Sequence, residues 1–270
     1  MSRTPLLLLP PSEGKSPGGD GPPWAPGTGV VTALDPARRK VMGALAAAAK
    51  VPEADRSKLF GVKGDASAEA TVAARTVRRS ATMPAIERYT GVLYGALDHG
   101  SMTSRDRDRL AKQVLIFSGL FGVVGPADPI PLYKLKMGAS LPGVGKLSTF
   151  WRPLLDEQLA AITGGRTVWN LLPNEHAAAW SGPVEGSGSR EVVVRFLDDV
   201  ERGGTRRLVT VSHWNKLLKG ALVRYVVAHQ LRDPDGLADF RHPEGYQLRP
   251  DLTETAGLRT TVSLVARRPS

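Results

Sequence analysis

The chain contains no cysteine. That removes disulfides, thiolate nucleophiles and thiolate-held metals together, fits a reducing compartment, and prevents the protein from serving as its own thiol redox sensor. Long apolar runs are missing as well. The run near the N-terminus, Leu6 to Leu9, falls short of the roughly 7–15 residues of a signal-peptide core and the ~20 of a membrane span, so a cytoplasmic protein with no membrane partner is expected. No self-similarity at a spacing of about 20–50 residues is visible, which excludes a solenoid or propeller. His99, His176, His213, His229 and His242 form no H-E-x-x-H or other short ligand spacing. Neither a metal centre nor a cofactor is expected.

Negative charge is the scarcer sign: 26 Asp and Glu face 36 Lys and Arg among 270 residues, a formal charge of +10. Such a field favours polyanions, acidic membranes or phosphorylated small molecules as partners and confers no sequence specificity. The remainder is ordinary for a globular chain, 41% hydrophobic and 23% charged. At this length roughly 75% of the unfolded surface can be buried. We expect a single monomeric domain over residues 1–270.

The stretch Pro10 to Gly29, PPSEGKSPGGDGPPWAPGTG, is too rich in Pro and Gly for a helix and reads as a long loop after the first strand. Helices are predicted over Arg38 to Lys50, Ala66 to Arg79, Pro84 to Leu97, Ser104 to Gln113, Ser148 to Ile162 and Lys216 to Leu231. Strands are predicted near Leu6 and Leu115, and over Leu132 to Met137, Val168 to Leu171, Val192 to Phe196, Arg207 to Ser212 and Thr261 to Ala266. The imperfect alternation implies an α/β to α+β fold, a mixed sheet flanked by helices.

Several motifs carry candidate chemistry. PPSEGKS follows a strand, but a phosphate loop G-x-x-x-x-G-K-[ST] needs Gly where Leu9 stands. Ser12 and Lys15 remain able to hold an anion without that loop. Leu59 to Gly64 and Leu141 to Lys146 both resemble the hairpin of a helix-hairpin-helix DNA-binding element, whose glycines let backbone amides approach a phosphate. The first lies between helical segments and is preferred, within an excursion over about residues 38–80. No G-x-S-x-G elbow occurs. Ser212 to Leu231 joins a strand to a helix bearing Lys216, Lys219 and Arg224, with Gly220 marking a close approach by backbone or ligand. Glu175 and Glu244 follow apparent strand ends, where acid/base groups often sit; each is equally able to cap a helix or pair with Arg.

Taken in order, LLLLPPSEGK, FSGLFGVVGPADPIPLYKLKMG, Phe150-Trp151, VWNLLPNEH, KLLKGALVRY and HPEGY resemble the YaaA family of peroxide stress proteins from Leu6 to about Val265. The resemblance implies a cytoplasmic bacterial protein with a basic cleft and a helix-hairpin-helix. It also implies binding to duplex and branched DNA, protection of that DNA under hydrogen peroxide, and a link to limiting free iron. Matching positions are Ser12, Lys15, Ser118, Gly119, Leu120, Gly122, Asp128, Tyr133, Met137, Gly138, Trp151, Asn170, Glu175, Lys216, Gly220, Arg224, Glu244, Gly245 and Tyr246. The first loop is longer than the S-P-A-K of many members, Lys136 replaces a usual acid, and Lys219 replaces a usual Arg.

Two functions follow. As a DNA-binding stress protein, the chain would use Gly61, Val62, Lys63, Gly64, Lys134, Lys136, Lys216, Lys219 and Arg224. As an enzyme on a nucleobase, nucleotide or nucleic acid, it would use a strand-end pocket of Ser12, Lys15, Ser118, Asp128, Tyr133, Asn170 and Tyr246, with Glu175 or Glu244 as acid/base group and a small anionic or nucleotide-like ligand.

Overall fold

Four leucines, Leu6–Leu9, make strand β1, and all four are buried. A strand inside a parallel sheet is covered on both faces, so it carries no polar alternation. The computed structural model describes residues 4–211 and 214–268. After β1 come α1 (Asp35–Ala48), α2 (Glu53–Phe60), α3 (Asp65–Thr76), β2 (Thr82–Pro84), α4 (Ala85–Arg88), α5 (Val92–Leu97) and α6 (Ser104–Gln113). Next are β3 (Val114–Ser118), β4 (Gly122–Val124), β5 (Pro129–Pro131), β6 (Ser140–Leu141), β7 (Gly145–Lys146), α7 (Leu147–Thr163), β8 (Thr167–Asn170) and α8 (Asn174–Ala177). The chain closes with β9 (Arg190–Arg202), β10 (Thr205–Thr210), α9 (Asn215–His229), β11 (Gln247–Leu248), β12 (Glu254–Ala256) and β13 (Arg259–Arg267).

The main sheet has nine strands in the order β11-β13-β9-β8-β1-β3-β4, with β10 added to β9 and β12 to β13. Its centre, β13-β9-β8-β1-β3, is parallel. The additions β4, β10, β11 and β12 are antiparallel. This is the mixed α/β architecture expected from the sequence. From β1 the chain first reaches β3 on one side and later returns to β8 on the other. Such a reversal leaves a crevice outside the carboxyl ends of the central strands, because the connections leave β1 in opposite directions. The residues at those ends are Leu9, Ser118 and Asn170.

Two local departures from expectation shape that crevice. Leu132 to Met137 is not a strand; only Pro129–Pro131 pairs, with β2. The segment keeps a strand's alternation, with Tyr133, Leu135 and Met137 buried and Lys134 and Lys136 half-buried. Its backbone rests on Gly119 instead of a partner strand: a Cβ there would lie 2.7 Å from the Leu135 carbonyl oxygen. The helix expected over Pro84 to Leu97 is broken between α4 and α5, where Gly91 takes a φ of 101°. Leu141 to Lys146 forms the β6-β7 hairpin, whereas Gly61 to Gly64 connects α2 to α3. Gly61 closes α2 at φ 65°, and Gly64 opens α3 at φ 57° and ψ −139°, a conformation that side chains with a Cβ resist. Gly220 is the predicted close approach, and what approaches is backbone: a Cβ would stand 2.2 Å from the Leu93 oxygen, so α5 packs directly on α9. Ser212 and His213 lie outside the described residues. Among those described, no helix is long and apolar enough to cross a membrane.

Candidate functional site

The loop leaving β1 is held by an arginine. Arg88 is fully buried, and its guanidinium donates to the carbonyls of Ser16, Gly18 and Ile130. The Ser16 N–H returns a bond of 2.9 Å to the Arg88 carbonyl. Lys15 and Tyr89 then meet as an isolated antiparallel bridge. A Pro- and Gly-rich segment with no helix or strand of its own is thus fixed across the end of the sheet, and Lys15 with it.

Lys15 Nζ donates to the Ser12 carbonyl at 2.8 Å and lies 4.5 Å from the centroid of the Tyr133 ring and 5.4 Å from that of Tyr89. The ring faces and the carbonyl favour an ammonium. Burial and the nearby Lys134 oppose it more strongly, and the amine is pulled down from its ordinary 10.5 to about 7. Behind it, the Tyr133 hydroxyl is 2.7 Å from both Tyr89 Oη and Ser118 Oγ. Ser118 Oγ also accepts from the amides of Leu120 and Phe121. Desolvation pushes the Tyr133 phenol up to about 12, so this chain of hydroxyls stays neutral and rigid.

Charge gathers at the mouth. Lys136 pairs with Glu13 at 3.1 Å, and the Glu13 carboxyl is held below its usual range chiefly by its hydrogen bond to Lys136, with Lys134 and Lys216 also lowering it. Glu175, on α8 just beyond β8, accepts the Gly138 N–H at 2.7 Å. A small cavity of about 60 Å³ is lined by Ser12, Lys15, Tyr133, Glu175 and His176 among others. On the other side of Lys15 a wider cleft of about 810 Å³ runs between α3 and Leu132–Lys134. The α2-α3 turn reaches the same region: a Cβ on Gly61 would be 3.4 Å from Lys136 Nζ.

The structure therefore brings together Ser12, Lys15, Ser118, Tyr133, Lys134, Lys136, Lys216, Glu175 and the Gly61–Gly64 turn. It holds other predicted residues elsewhere. Asp128 accepts from the amides of Gly125 and Val30, closing a turn. Asn170 stands at the strand end but bonds Glu191 and the Leu172 amide. Lys219 donates to the Leu171 carbonyl, pinning the chain after β8, and burial lowers it to about 8. Arg224 binds the carbonyls of Leu97 and Asp98 at the end of α5. Tyr246 bonds Asp198 and Arg268, and Glu244 meets Arg268, all on the β9-β13 side.

Three further residues of the site, Arg88, Tyr89 and His176, are not among those the sequence singles out. Neither Arg88 nor Tyr89 sits in a recognisable motif, and each acts through a loop about 70 residues earlier in the chain. His176 has both ring nitrogens buried with no hydrogen-bond partner, and burial lowers it to about 4. Its sequence signals are its place directly after Glu175 and at the end of the VWNLLPNEH block.

With this geometry in hand, the family model described as "Peroxide stress protein YaaA" matches residues 6–252. The chain belongs to the YaaA family. A UPF0246 protein of Streptomyces coelicolor is 36% identical over 255 residues, covering 93% of this chain and 95% of the relative. Others from Corynebacterium glutamicum (35%, covering 86% and 91%) and Corynebacterium efficiens (38%, covering 81% and 83%) are similar. The YaaA-like blocks now have physical roles. Ser118-Gly119-Leu120 meets Tyr133-Lys134-Leu135-Lys136 at the Gly119 contact, and Gly138 lies against Glu175.

Proposed function

We propose that this YaaA-family protein binds the phosphate backbone of duplex or branched DNA, without base preference, and shields it during peroxide stress. The observation that carries the reading is how near the Lys136 side chain comes to Gly61, where a Cβ would lie 3.4 Å from Nζ. It makes one surface of an exposed Gly-Val-Lys-Gly turn and the lysines around Glu13. Lys63 and Gly64 are exposed, while half-buried Val62 anchors the turn on the core. Backbone amides at a glycine-bounded turn and lysine ammonium groups are donors that phosphates take without regard to base. Lys134, Lys136 and Lys216 are the working cations; Lys219 and Arg224 act by holding the backbone on which the cleft rests.

The test is the salt dependence of duplex binding, with Lys134, Lys136 and Lys216 replaced together by Ala. Among the described residues no group of three or more His, Asp or Glu is placed to hold a metal ion.

A second reading, chemistry on a nucleic-acid or nucleotide substrate, is favoured by one observation: a buried lysine stands at the crevice where the strand order reverses.

A further inference from the structure

We propose that Lys15 is a nucleophile that forms an imine with the ring-opened aldehyde of a deoxyribose phosphate, the sugar left in DNA where a base has been lost. The inference rests on the DNA-binding reading for its source of substrate. Its geometry is independent of that reading.

Lys15 Nζ is held at the carboxyl end of the central strand, against two tyrosine rings, in a cavity it shares with His176. That cavity, about 60 Å³, has the space of about two liquid waters. A carbonyl end fits that space, and the wider cleft on the other side of Lys15 takes the larger groups attached to it. The aldehyde of a base-free sugar is the reactive carbonyl that DNA offers in this size. Phosphates on either side of such a sugar would lie among Lys134, Lys136 and Lys216, and the wider cleft along α3 has room for the flanking nucleotides.

A lysine amine attacks a carbonyl only when unprotonated, and desolvation near other cations is the established way to make it so at neutral pH. Both conditions hold at Lys15. The remaining need is proton traffic: His176 is neutral at pH 7, and its two ring nitrogens have no protein partner. The Nζ lone pair adds to C1′, breaking the carbonyl π bond. One ring nitrogen of His176 accepts a proton from Nζ while the other delivers a proton to the oxygen, giving the carbinolamine. A second proton, carried from the nitrogen to the hydroxyl by the same ring, lets the C–O bond break and water leave as the C=N bond forms. Amine and aldehyde thus give imine and water, with no oxidant or reductant consumed.

Sodium borohydride reduces such an imine to a stable amine, so a duplex carrying one abasic site reports the step as a covalent adduct. Wild-type protein is incubated with that duplex, with an intact duplex, and with deoxyribose 5-phosphate, each followed by borohydride. A protease digest of the reduced wild-type product then locates the modified lysine without relying on any variant. The expected result is an adduct with the abasic duplex only, on the peptide containing Lys15, reduced at least tenfold in Lys15→Met when each protein is tested at a duplex concentration that saturates it.

Binding of duplex with no adduct, or an adduct on Lys134, Lys136 or Lys216 that persists in Lys15→Met, overturns the inference and leaves the DNA reading standing. Failure to bind any duplex overturns the DNA reading instead. The deoxyribose 5-phosphate arm then decides, with addition at Lys15 supporting the imine on free sugar phosphate and no addition overturning it.

Discussion

Lys15 Nζ sits 4.5 Å from the centre of the Tyr133 ring and 2.8 Å from the Ser12 carbonyl oxygen, in a site that still lowers its basicity to about 7. Two favourable contacts fail to offset the loss of water and the neighbouring Lys134. The protein therefore keeps a side chain that weakens it at neutral and acid pH, in the manner of a functional group placed at some cost to stability.

That cost has a definite pH dependence. Above 10.5 Lys15 is neutral in both folded and unfolded chains. Between about 7 and 10.5 the unfolded chain binds a proton that the folded chain does not. Unfolding takes up that proton, so stability from this group rises with pH across the window, and below 7 the full penalty is present. Lys15→Met should therefore stabilise the protein, by an amount on the order of a few kcal/mol at pH 6 and progressively less toward pH 10. Denaturant unfolding of both proteins at several pH values measures it, and a gain that is constant with pH contradicts the account.

The contact of α5 with α9 predicts a core effect. In Gly220→Ala the new methyl carbon would start 2.2 Å from the Leu93 oxygen, a backbone atom that moves only with its helix. The expected loss is about 1–3 kcal/mol, a fall in Tm of several degrees by calorimetry. An unchanged Tm would mean that the two helices are not packed this closely.

Much of the fold is legible in the sequence. Leu6–Leu9, as an unbroken apolar run, announces a doubly covered strand, and Gly220 announces a close approach, since local composition decides both. The strand assigned to Leu132–Met137 fails for an instructive reason. Alternate burial of Tyr133, Leu135 and Met137 has the period of a strand, yet the backbone neighbour is the loop at Gly119, which no periodicity reports. Likewise Lys15 is legible as a charge but not as a buried amine. Its burial depends on Tyr89 and Tyr133, which are brought to it by the fold, and on Arg88, whose bonds hold the loop.

At the α2-α3 turn, Gly64→Ala forces a Cβ into φ 57°, ψ −139°. We expect about 1–3 kcal/mol of strain and a weakening of duplex binding as the turn shifts, read by thermal unfolding and by titration of a labelled duplex. Gly143→Ala, also at positive φ (72°) but in the β6-β7 hairpin, provides the comparison: a loss of stability with unchanged binding. An equal fall in affinity for both variants would remove the turn from the interface.

The most direct test is duplex affinity measured from about 50 to 200 mM salt for the wild-type protein and for the variant with Lys134, Lys136 and Lys216 replaced by Ala. The account predicts a steep log–log slope for wild type that flattens by about 2–3 in the variant, close to one for each phosphate that a lysine no longer neutralises. No wild-type binding at the lowest salt, or the same slope in both proteins, would contradict it.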